Sequence, residues 1–382
     1  MITTYCFENE EHAALRAQAE RFAARHIAPN AEAWDEAGTF PVELYRESVA
    51  AGLTGIGYPE EVGGGGGDIT HALVAAEAMV RTGKSVGAVV SLGSHAIALP
   101  PIVHAGDPAQ IERFVRPVMR DGKIASLAIT EPGAGSDVAG ITTRAERRGD
   151  HFVVNGSKTF ITSGTRADFV TTAVRTGGPG HGGISLLVIE SDRPGFRVGS
   201  KLKKTGWLAS DTAELFFDDV EVPIENLVGE QDQGFLAIVR NFVAERLALA
   251  AQCVAIGQLA YDEAFAYTRE RRVFGKAITG FQVTRHKLAD MASRLAAARA
   301  LTGEVALRHA RGEDVLGLAA MAKNVGTDML TFVTYEAVQL HGGMGYMQGV
   351  VVERLARDAR LYPIGGGTRE IMNEIIAKTE GY

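Results

Sequence analysis

The sequence contains little cysteine and no excess of positive charge. Only two of its 382 residues are cysteines, Cys6 and Cys253, and they are too far apart for a CxxC or metal-ligand pattern. We therefore expect both to be reduced and structural, as in a cytosolic protein. Lys and Arg number 39 against 46 Asp and Glu. The resulting net charge of −7 argues against a nucleic-acid-binding protein, which needs concentrated basic residues.

Long hydrophobic runs and targeting signals are also missing. No stretch of about 18 apolar residues occurs, so no membrane span is expected. The first residues, MITTYCFENEEHAAL, lack the basic-then-apolar order of a secretory signal and are acidic where a transit peptide would be basic. We therefore expect a cytoplasmic location. With 46% hydrophobic and 22% charged residues, the composition is that of a globular protein of one large or two to three ordinary domains.

The residue pattern changes twice along the chain. Residues 1–122 are mainly helical in pattern, with apolar residues at three- and four-residue spacing. Residues 123–230 contain short runs such as ISLLVIES and AELFFDDVEVP, whose β-branched and aromatic residues predict strands. Residues 231–382 contain long alanine-rich stretches with little proline, which predict a C-terminal four-helix bundle. This order predicts an α+β fold with three domains at these boundaries.

Local patterns make sharper structural predictions. Pro29 is expected to end the first helix, and the glycine run 63–67 is expected to be a mobile or sharply turning loop. The dipeptide Asn155-Gly156 within HFVVNGSKTFIT predicts a hairpin turn. His95 is expected to cap or pack a helix rather than serve a functional site.

Two motifs in the strand-rich region contain candidate site residues. In LAITEPGAGSDVAG, residues 127–140, Pro132 and the neighbouring glycines force an exposed turn whose backbone N–H groups are able to face an anionic or carbonyl ligand. An ordinary turn explains the pattern equally well. In KTFITSG, residues 158–164, Phe160 and Thr162 share one strand face, which suits an aromatic ligand with hydrogen-bonding atoms. Core packing of Phe160 is the simpler alternative.

Two further motifs lie in the C-terminal region. RRVFGKAITGFQ, residues 271–282, places Arg271 and Phe274 on one helical turn, with Gly275 as the helix stop. QLHGGMGYMQG, residues 339–349, contains Gly342 and Gly343, which allow a backbone to approach a phosphate closely. Each of these patterns is, by itself, more often solvated surface.

In this order and spacing, the four motifs resemble those of the acyl-CoA dehydrogenases, a flavoenzyme family, over essentially the whole chain. The resemblance implies a helical N-terminal domain, a central β-barrel-like or sandwich domain and a C-terminal four-helix bundle. It implies FAD as cofactor, bound between the β domain and the C-terminal helices at the interface of a homotetramer. It also implies an acyl-CoA substrate and an electron-transferring flavoprotein as electron acceptor.

The motifs also imply roles for individual residues. Those expected to line the flavin are Leu127, Ile129, Thr130, Ser136, Phe160 and Thr162. Those expected to hold the adenosine and pyrophosphate, partly from a neighbouring subunit, are Arg271, Phe274, Gln282, Gln339, Gly342 and Gly343. Thr368 and Glu370 match further cofactor-contacting positions, and Ser136 and Arg246 match positions near CoA. Phe160 stands where many relatives have Trp, which keeps the ring but removes an N–H donor.

The reaction that the resemblance implies needs a carboxylate base, because it removes the α-proton of an acyl thioester while a hydride leaves the β-carbon. Many relatives supply this Glu from a Tyr-Glu-Gly-Thr motif, but here the matching residues are 365–368, and Gly366 occupies the Glu position. Isovaleryl- and long-chain-type members supply it from a Glu-Arg-Leu stretch of the long helix. This chain has Glu245 there. We therefore expect Glu245 to be the base and the Gly366 N–H to bind the thioester carbonyl.

Alternatives remain open at this stage. The alternative for Glu245 is a surface carboxylate or a structural partner of Arg246, and Asp211 and Glu214 are expected to be structural. The same fold also serves flavin-dependent oxidases and monooxygenases that react with O₂, which do not all need an α-proton base. A catalytically inactive binding protein is a third hypothesis. The acyl chain, whether medium, long or branched, is not specified by the sequence.

Overall fold

Helices, a central sheet and helices again follow one another along the chain in the computed structural model, which describes residues 3–382. The predicted α+β fold is confirmed by this order. The largest hydrophobic cluster joins the two helical regions, because Phe22 near the N-terminus packs in one core with Val254 and Leu330 from the C-terminal helices. Both cysteines are free thiols, and Cys253 is buried in the same core.

The N-terminal helices are short apart from α1 and α4. They are α1 (Glu10–Phe22), α2 (Ala31–Ala37), α3 (Glu43–Ala50), α4 (Ile69–Gly83), α5 (Val86–Leu92), α6 (His95–Ala98), α7 (Pro100–Ala105), α8 (Pro108–Gln110) and α9 (Arg116–Asp121).

The prediction that Pro29 ends the first helix was wrong. The backbone continues from α1 through a π-helical turn, Ala23–Ile27, and a 3₁₀ turn, Ala28–Asn30, directly into α2. Proline is tolerated here because it lies in the first turn of a new helical segment, where its missing N–H has no partner to lose. The helical path ends instead at Gly38, which adopts φ +66°.

The glycine run 63–67 turns sharply, which is one of the two predicted alternatives. Backbone hydrogen bonds fold it against the preceding segment. The N–H of Gly65 donates to the carbonyl of Gly55 at 2.8 Å, and the N–H of Gly66 donates to that of Tyr58 at 2.9 Å. A Cβ at Gly64 would lie only 2.2 Å from the Tyr58 carbonyl oxygen, so this approach requires glycine.

The central region is a mixed eight-stranded sheet. Its strands are β1 (Ala125–Ala128), β2 (Arg144–Arg148), β3 (His151–Thr162), β4 (Phe169–Arg175), β5 (Ile184–Glu190), β6 (Phe196–Lys201), β7 (Thr212–Pro223) and β8 (Leu227–Val228). The hydrogen-bonded order is β6-β7-β3-β2-β4-β5-β8, and β1 pairs in parallel with β4. The segment that follows β1 also lies beside the end of β3, because the Thr159 N–H donates to the Thr130 carbonyl at 2.9 Å, and two of the sequence motifs meet there.

The prediction of a hairpin at Asn155-Gly156 was wrong. Strand β3 runs straight through this dipeptide, and the bulge lies opposite it in β7, which has one residue more than β3 between the pairs Val154–Val220 and Gly156–Phe217. Gly156 has φ +146°, and a Cβ on it would lie 2.7 Å from the Cα of Thr143 in the segment before β2. The glycine therefore serves close strand packing. The actual hairpin joins β2 to β3 at Gly149, which has φ +65°.

The C-terminal region contains three long helices and two shorter ones, with a small hairpin after the first. The elements are α10 (Gly234–Glu270), β9 (Arg272–Val273), β10 (Lys276–Ala277), α11 (Gln282–Ala310), α12 (Leu316–His341), α13 (Val351–Ala359) and α14 (Arg369–Glu380). Small residues let α10 and α12 approach closely, since a Cβ on Gly257 would lie 2.7 Å from the Met329 sulfur.

One helix among residues 3–382, α10, is long and apolar enough to cross a membrane by length and composition alone. A second candidate arises only if α5 and α6–α7, which are bent by 43° at a break, are taken as one span. In α10, 61% of the most apolar 18-residue window is buried inside the protein. A core helix passes the same test, and α10 occupies that position.

A buried ion pair joins the N-terminal helix α4 to the C-terminal helix α11. The Arg299 guanidinium contacts both oxygens of Glu77, at 3.0 and 2.7 Å, and neither side chain is exposed to solvent. Removing one partner of such a pair leaves an uncompensated buried charge.

We predict that Glu77→Ala lowers the free energy of unfolding by about 3–5 kcal/mol, because it strands the Arg299 charge in the core. The measurement is urea-induced unfolding followed by circular dichroism. The matched control is Glu304→Ala, which breaks the exposed 2.7 Å pair with Arg308 on the same helix α11 and should leave the unfolding midpoint nearly unchanged. Equal effects of the two variants would contradict the prediction.

Candidate active site

The exposed turn after β1 is held from below by a buried ion pair. Glu131 accepts a hydrogen bond from the Lys158 ammonium at 2.8 Å and others from the backbone N–H groups of Thr142 and Thr143. Burial alone would raise the pKa of Glu131, but the Lys158 charge and these donors hold it at about 2. Sequence reasoning missed both residues. Their signal was an acid shortly after β1 and the single charged residue of the KTFITSG segment.

The same lysine ties the end of β1 to the end of β3. Its ammonium also donates to the Ile129 carbonyl at 2.9 Å, and the N–H of Thr159 donates to the Thr130 carbonyl at 2.9 Å. Within β1, the Ser126 hydroxyl donates to the Thr162 carbonyl at 2.9 Å. These bonds bring five of the six predicted flavin-lining residues to one edge: Leu127, Ile129, Thr130, Phe160 and Thr162. Ser136 lies exposed on the adjoining turn.

Phe160 is presented to solvent by a second bulge in β3. Between Lys158 and Ile161, β3 has one residue more than β7 opposite, and Phe160 adopts φ +61°. Its side chain is 68% exposed, whereas Thr159 and Ile161 are buried and Thr162 is half-buried. Core packing of Phe160, the simpler alternative, is therefore excluded. The ring is a flat apolar surface at the sheet edge.

Glu245 lies on α10 with its carboxylate inside the protein. Among residues 3–382 its Oε2 atom has no hydrogen-bond partner and no exposed surface. Burial raises the pKa of Glu245 to about 7, against the opposing effect of the Arg246 and Lys323 charges. On α10 itself the residues at helical spacing are not basic, but Lys323 comes from α12. Glu245 is thus not a surface carboxylate.

The turn before α14 faces this carboxylate. Gly366 adopts φ +64°, and a Cβ on it would lie 2.3 Å from Leu249 Cδ1 and 3.5 Å from Glu245 Oε1. A side chain at position 366 would therefore begin in the space that Leu249 already occupies, in contact with the Glu245 carboxylate. Thr368 caps α14, accepting a hydrogen bond from the Ile371 N–H at 3.4 Å. Glu370 is exposed in the first turn of α14.

Arg246 is buried next to Glu245 on α10. Its guanidinium carbon lies 5.5 Å from the centre of the Phe242 ring, and its Nε and Nη1 atoms have no hydrogen-bond partner in the described part of the chain. Phe242 and Leu127 pack against the same hydrophobic cluster. The cluster therefore connects the turn of α10 that contains Glu245 to the sheet edge that carries Phe160.

The remaining predicted cofactor residues lie at the far end of the helical region. The prediction that Gly275 stops the helix was wrong, because α10 ends at Glu270 and Phe274 and Gly275, with φ +48° and +81°, form the two-residue turn of the β9–β10 hairpin. Phe274 is 95% exposed. The other members of this group are exposed as well: Arg271, Gln282, Gln339, Gly342 and Gly343.

Within one chain, the residues around Phe274 lie far from Glu245. Arg271 follows Glu245 by 26 positions, and at 1.5 Å per residue the two lie about 39 Å apart. The structure thus separates the predicted site residues into a proximal group near Glu245 and a distal group near Phe274.

Three other polar candidates have structural positions. Asp211 is buried, with its carboxylate 2.8 Å from the Arg166 Nε and accepting from the Thr165 N–H, in agreement with the sequence-based interpretation. Glu214 is half-buried on β7 opposite the Phe160 bulge. His95 begins α6, with Nδ1 2.9 Å from the Leu92 carbonyl, which agrees with a packing role.

The raised pKa of Glu245 makes stability depend on pH. Between the ordinary value of 4.5 and about 7, the folded protein keeps a proton that the unfolded chain has released, so stability falls as pH rises through this window. We predict that Glu245→Gln removes this fall. Its stability relative to the natural protein should increase by about 3 kcal/mol between pH 4 and pH 8 in urea unfolding. A difference that is equal at both pH values would contradict the burial of a titrating carboxyl.

We also predict that Gly366→Ala is poorly tolerated. The positive φ costs an L-residue about 1–2 kcal/mol, and the new methyl group must displace Leu249. The matched control is Gly365→Ala, where φ is not positive and the nearest atom would be at 3.8 Å. Thermal unfolding of the two variants should show a clear loss only for Gly366→Ala, and equal melting temperatures would contradict the assignment.

Comparison with known proteins gives one consistent family. The family descriptions for the N-terminal, middle and C-terminal domains of acyl-CoA dehydrogenase match residues 9–121, 126–220 and 232–380. The mitochondrial long-chain specific acyl-CoA dehydrogenase of Mus musculus is 38% identical over 375 residues, covering 97% of this chain and 86% of its own.

Solved structures agree. A probable acyl CoA dehydrogenase from Mycobacterium abscessus superposes with a TM-score of 0.96 at 52% identity, covering 98% of this chain and 99% of that one. Butyryl-CoA dehydrogenase from Megasphaera elsdenii superposes with a TM-score of 0.94 at 34% identity, with coverage of 98% and 99%. The chain therefore belongs to the acyl-CoA dehydrogenase family of FAD-dependent oxidoreductases.

Proposed function

We propose that this protein oxidises a saturated acyl-CoA to the trans-2-enoyl-CoA, with Glu245 as the base that removes the α-proton. The observation that carries this proposal is the geometry at Gly366. Glu245 Oε1 lies 3.5 Å from the point where a side chain on residue 366 would begin, and Leu249 fills the adjacent space. The carboxylate of Glu245 on α10 thus reaches the region in which a glutamate at position 366, on the turn before α14, would place its own side chain.

The surroundings of Glu245 suit proton abstraction from carbon. The α-proton of a thioester is weakly acidic, so a carboxylate with a pKa near 7 is better matched to it than an ordinary Glu. The unpartnered Oε2 is free to accept the proton. The Gly366 N–H is our candidate donor to the thioester carbonyl, where negative charge develops as the proton leaves. The glycine keeps this N–H and adds no side chain beside the substrate.

The chain also fits the cofactor of its family. Phe160 offers an exposed flat ring next to the Thr162 and Thr130 positions, and the turn that follows is open, since nothing lies within 4 Å of a Cβ on Gly133 or Gly135. We infer that the proximal group holds the flavin ring and that Ser136 and Arg246 approach the CoA portion. When bound, FAD supplies the acceptor for the hydride that leaves the β-carbon.

We infer further that a second copy of the chain completes the site. The distal group around Phe274 is exposed and lies about 39 Å along α10 from the base. Gly342 and Gly343 in this group have open space around them, as a backbone approached by a phosphate requires. An arrangement in which the distal group of one protomer holds the adenosine and pyrophosphate of its neighbour supports a homo-oligomer, and we propose a homotetramer.

Three finer assignments complete the proposal. The substrate is a medium, long or branched acyl-CoA, and an electron-transferring flavoprotein is the electron acceptor. A cytoplasmic location fits the chain's composition. The first two are supported by the family to which the chain belongs.

The test is anaerobic mixing of the purified flavoprotein with acyl-CoAs of different length and branching, with flavin absorbance as readout. We predict bleaching by at least one saturated acyl-CoA and a loss of at least about 10³-fold in its rate in Glu245→Gln with FAD still bound. The rate for the natural protein should rise with pH to a plateau above about 7, because the base must be ionised. The matched control is Glu263→Gln, five turns along α10, where Glu263 pairs with Lys84.

Each other outcome points to a different function. Bleaching that survives Glu245→Gln unchanged would refute the base assignment. Bleaching followed by rapid reoxidation in air, without an electron-transferring protein, would indicate an oxidase. A colourless protein that does not take up FAD would indicate a binding protein without redox activity.

A further inference from the structure

Lys323 on α12 is buried beneath the turn that faces Glu245. Its side chain is among the largest in the protein with less than 2% of its surface exposed. Its ammonium donates a hydrogen bond to the carbonyl of Gly367. A buried lysine is costly unless its charge is compensated, so this position calls for a function.

The turn that Lys323 contacts contains two successive glycines with positive φ. Gly366 and Gly367 adopt φ of +64° and +90°. The ends of the turn are held, because the N–H of Gly365 donates to the Leu361 carbonyl at 2.9 Å and the N–H of Arg369 donates to the Pro363 carbonyl at 3.1 Å. Between these anchors, Lys323 is the side chain that holds a peptide group of the turn.

Lys323 also belongs to a buried group of charges. From α10, Glu245, Arg246 and Cys253 act on it electrostatically, and Lys323 in turn lowers the pKa of Glu245. Burial raises the pKa of the Cys253 thiol, so the thiol is neutral. From α14, Asn373 accepts a hydrogen bond from the neighbouring Asn324 and adds no charge. Glu245 therefore faces two cations, Arg246 beside it and Lys323 across from it.

We propose that Lys323 is a positioning residue for the reaction: its hydrogen bond to the Gly367 carbonyl holds the Gly367–Thr368 peptide and so fixes the turn that also carries the Gly366 N–H, and its charge acts on the Glu245 carboxylate. The inference rests on the proposed function insofar as Glu245 is the base. The contact of Lys323 with the turn is independent of that assignment. One side chain thereby acts both on the turn that carries the proposed carbonyl-binding donor and on the proposed base.

The test compares Lys323→Met, which removes the ammonium but keeps the length of the apolar chain, with Lys204→Met. Lys204 also donates to a backbone carbonyl, that of Ser210, and is half-buried. Hydrogen exchange followed by mass spectrometry should show faster exchange for peptides covering 361–371 in Lys323→Met only. In the natural protein, Ile364, Gly365 and Arg369 donate backbone hydrogen bonds within this segment.

The pH dependence of flavin reduction by a saturated acyl-CoA provides the second readout. Removing a cation from beside a carboxylate raises the pKa of that carboxylate. We expect the rising limb of the rate to move to higher pH by about one pH unit in Lys323→Met, with a loss of about fivefold at pH 7 that is recovered at higher pH. Lys204→Met should keep the natural profile. A change in packing alone would lower the rate equally at every pH.

The two proposals fail in different ways. If the natural protein is not bleached by any acyl-CoA, the proposed function fails, and the exchange experiment still decides whether Lys323 holds the turn. If bleaching occurs but Lys323→Met has the natural exchange and pH profile, the positioning role is refuted. Should Lys323→Met not fold, the double variant Glu245→Gln/Lys323→Met is compared with Glu245→Gln. Faster exchange of 361–371 then supports the proposal, and unchanged exchange overturns it.

Discussion

The Glu245 carboxylate is buried, and the residues around it must partly compensate for its loss of contact with water. A carboxylate removed from water becomes more basic, but it must not become permanently protonated. The chain places Arg246 and Lys323 near it, and these charges offset part of the cost of burial. The turn opposite has a glycine at position 366, where Leu249 leaves no room for a side chain. The backbone of this turn therefore comes close to the Glu245 carboxylate.

A second buried carboxylate, that of Glu131, forms an ion pair with Lys158 at the edge of the sheet. It joins the ends of β1 and β3, and the turn after β1 folds over it. In this pair the two charges are hydrogen-bonded directly, so the pKa of Glu131 falls rather than rises. The contrast between the two glutamates is one of partners: Glu131 has four hydrogen-bonded groups, whereas Glu245 Oε2 has none in the described chain. The pKa of Glu131 is therefore lowered to about 2, whereas that of Glu245 is raised to about 7, as the proposed exchange of a proton requires.

The length of α10 shapes the protein on a larger scale. This helix passes through the core, carries Glu245 in its first third and ends at the exposed hairpin that presents Phe274. A rigid helix of this length keeps the two groups of site residues apart within one chain. Function that needs both groups then requires a second chain, and the oligomer becomes part of the proposed site.

Much of this could be predicted from the sequence, for physical reasons that differ between elements. The long helices were predicted well because alanine favours helix and proline is absent from them. The Asn155-Gly156 and Gly275 predictions failed because glycine permits several local conformations. At Gly156 the choice came from the neighbouring Thr143, and at Gly275 it came from the short strand that follows.

The sequence by itself determined the family, the succession of helices and sheet, and the two positions, Glu245 and Gly366, to which the family resemblance directs attention. Only the tertiary structure decided that these two positions face each other, that Phe160 is exposed, and that Glu131, Lys158 and Lys323 are buried. Burial and electrostatic contact depend on residues far apart in the chain, as Lys323 is from both Glu245 and Gly367. Local sequence patterns carry information about the backbone, whereas the pKa of a buried group is set by what folding brings around it.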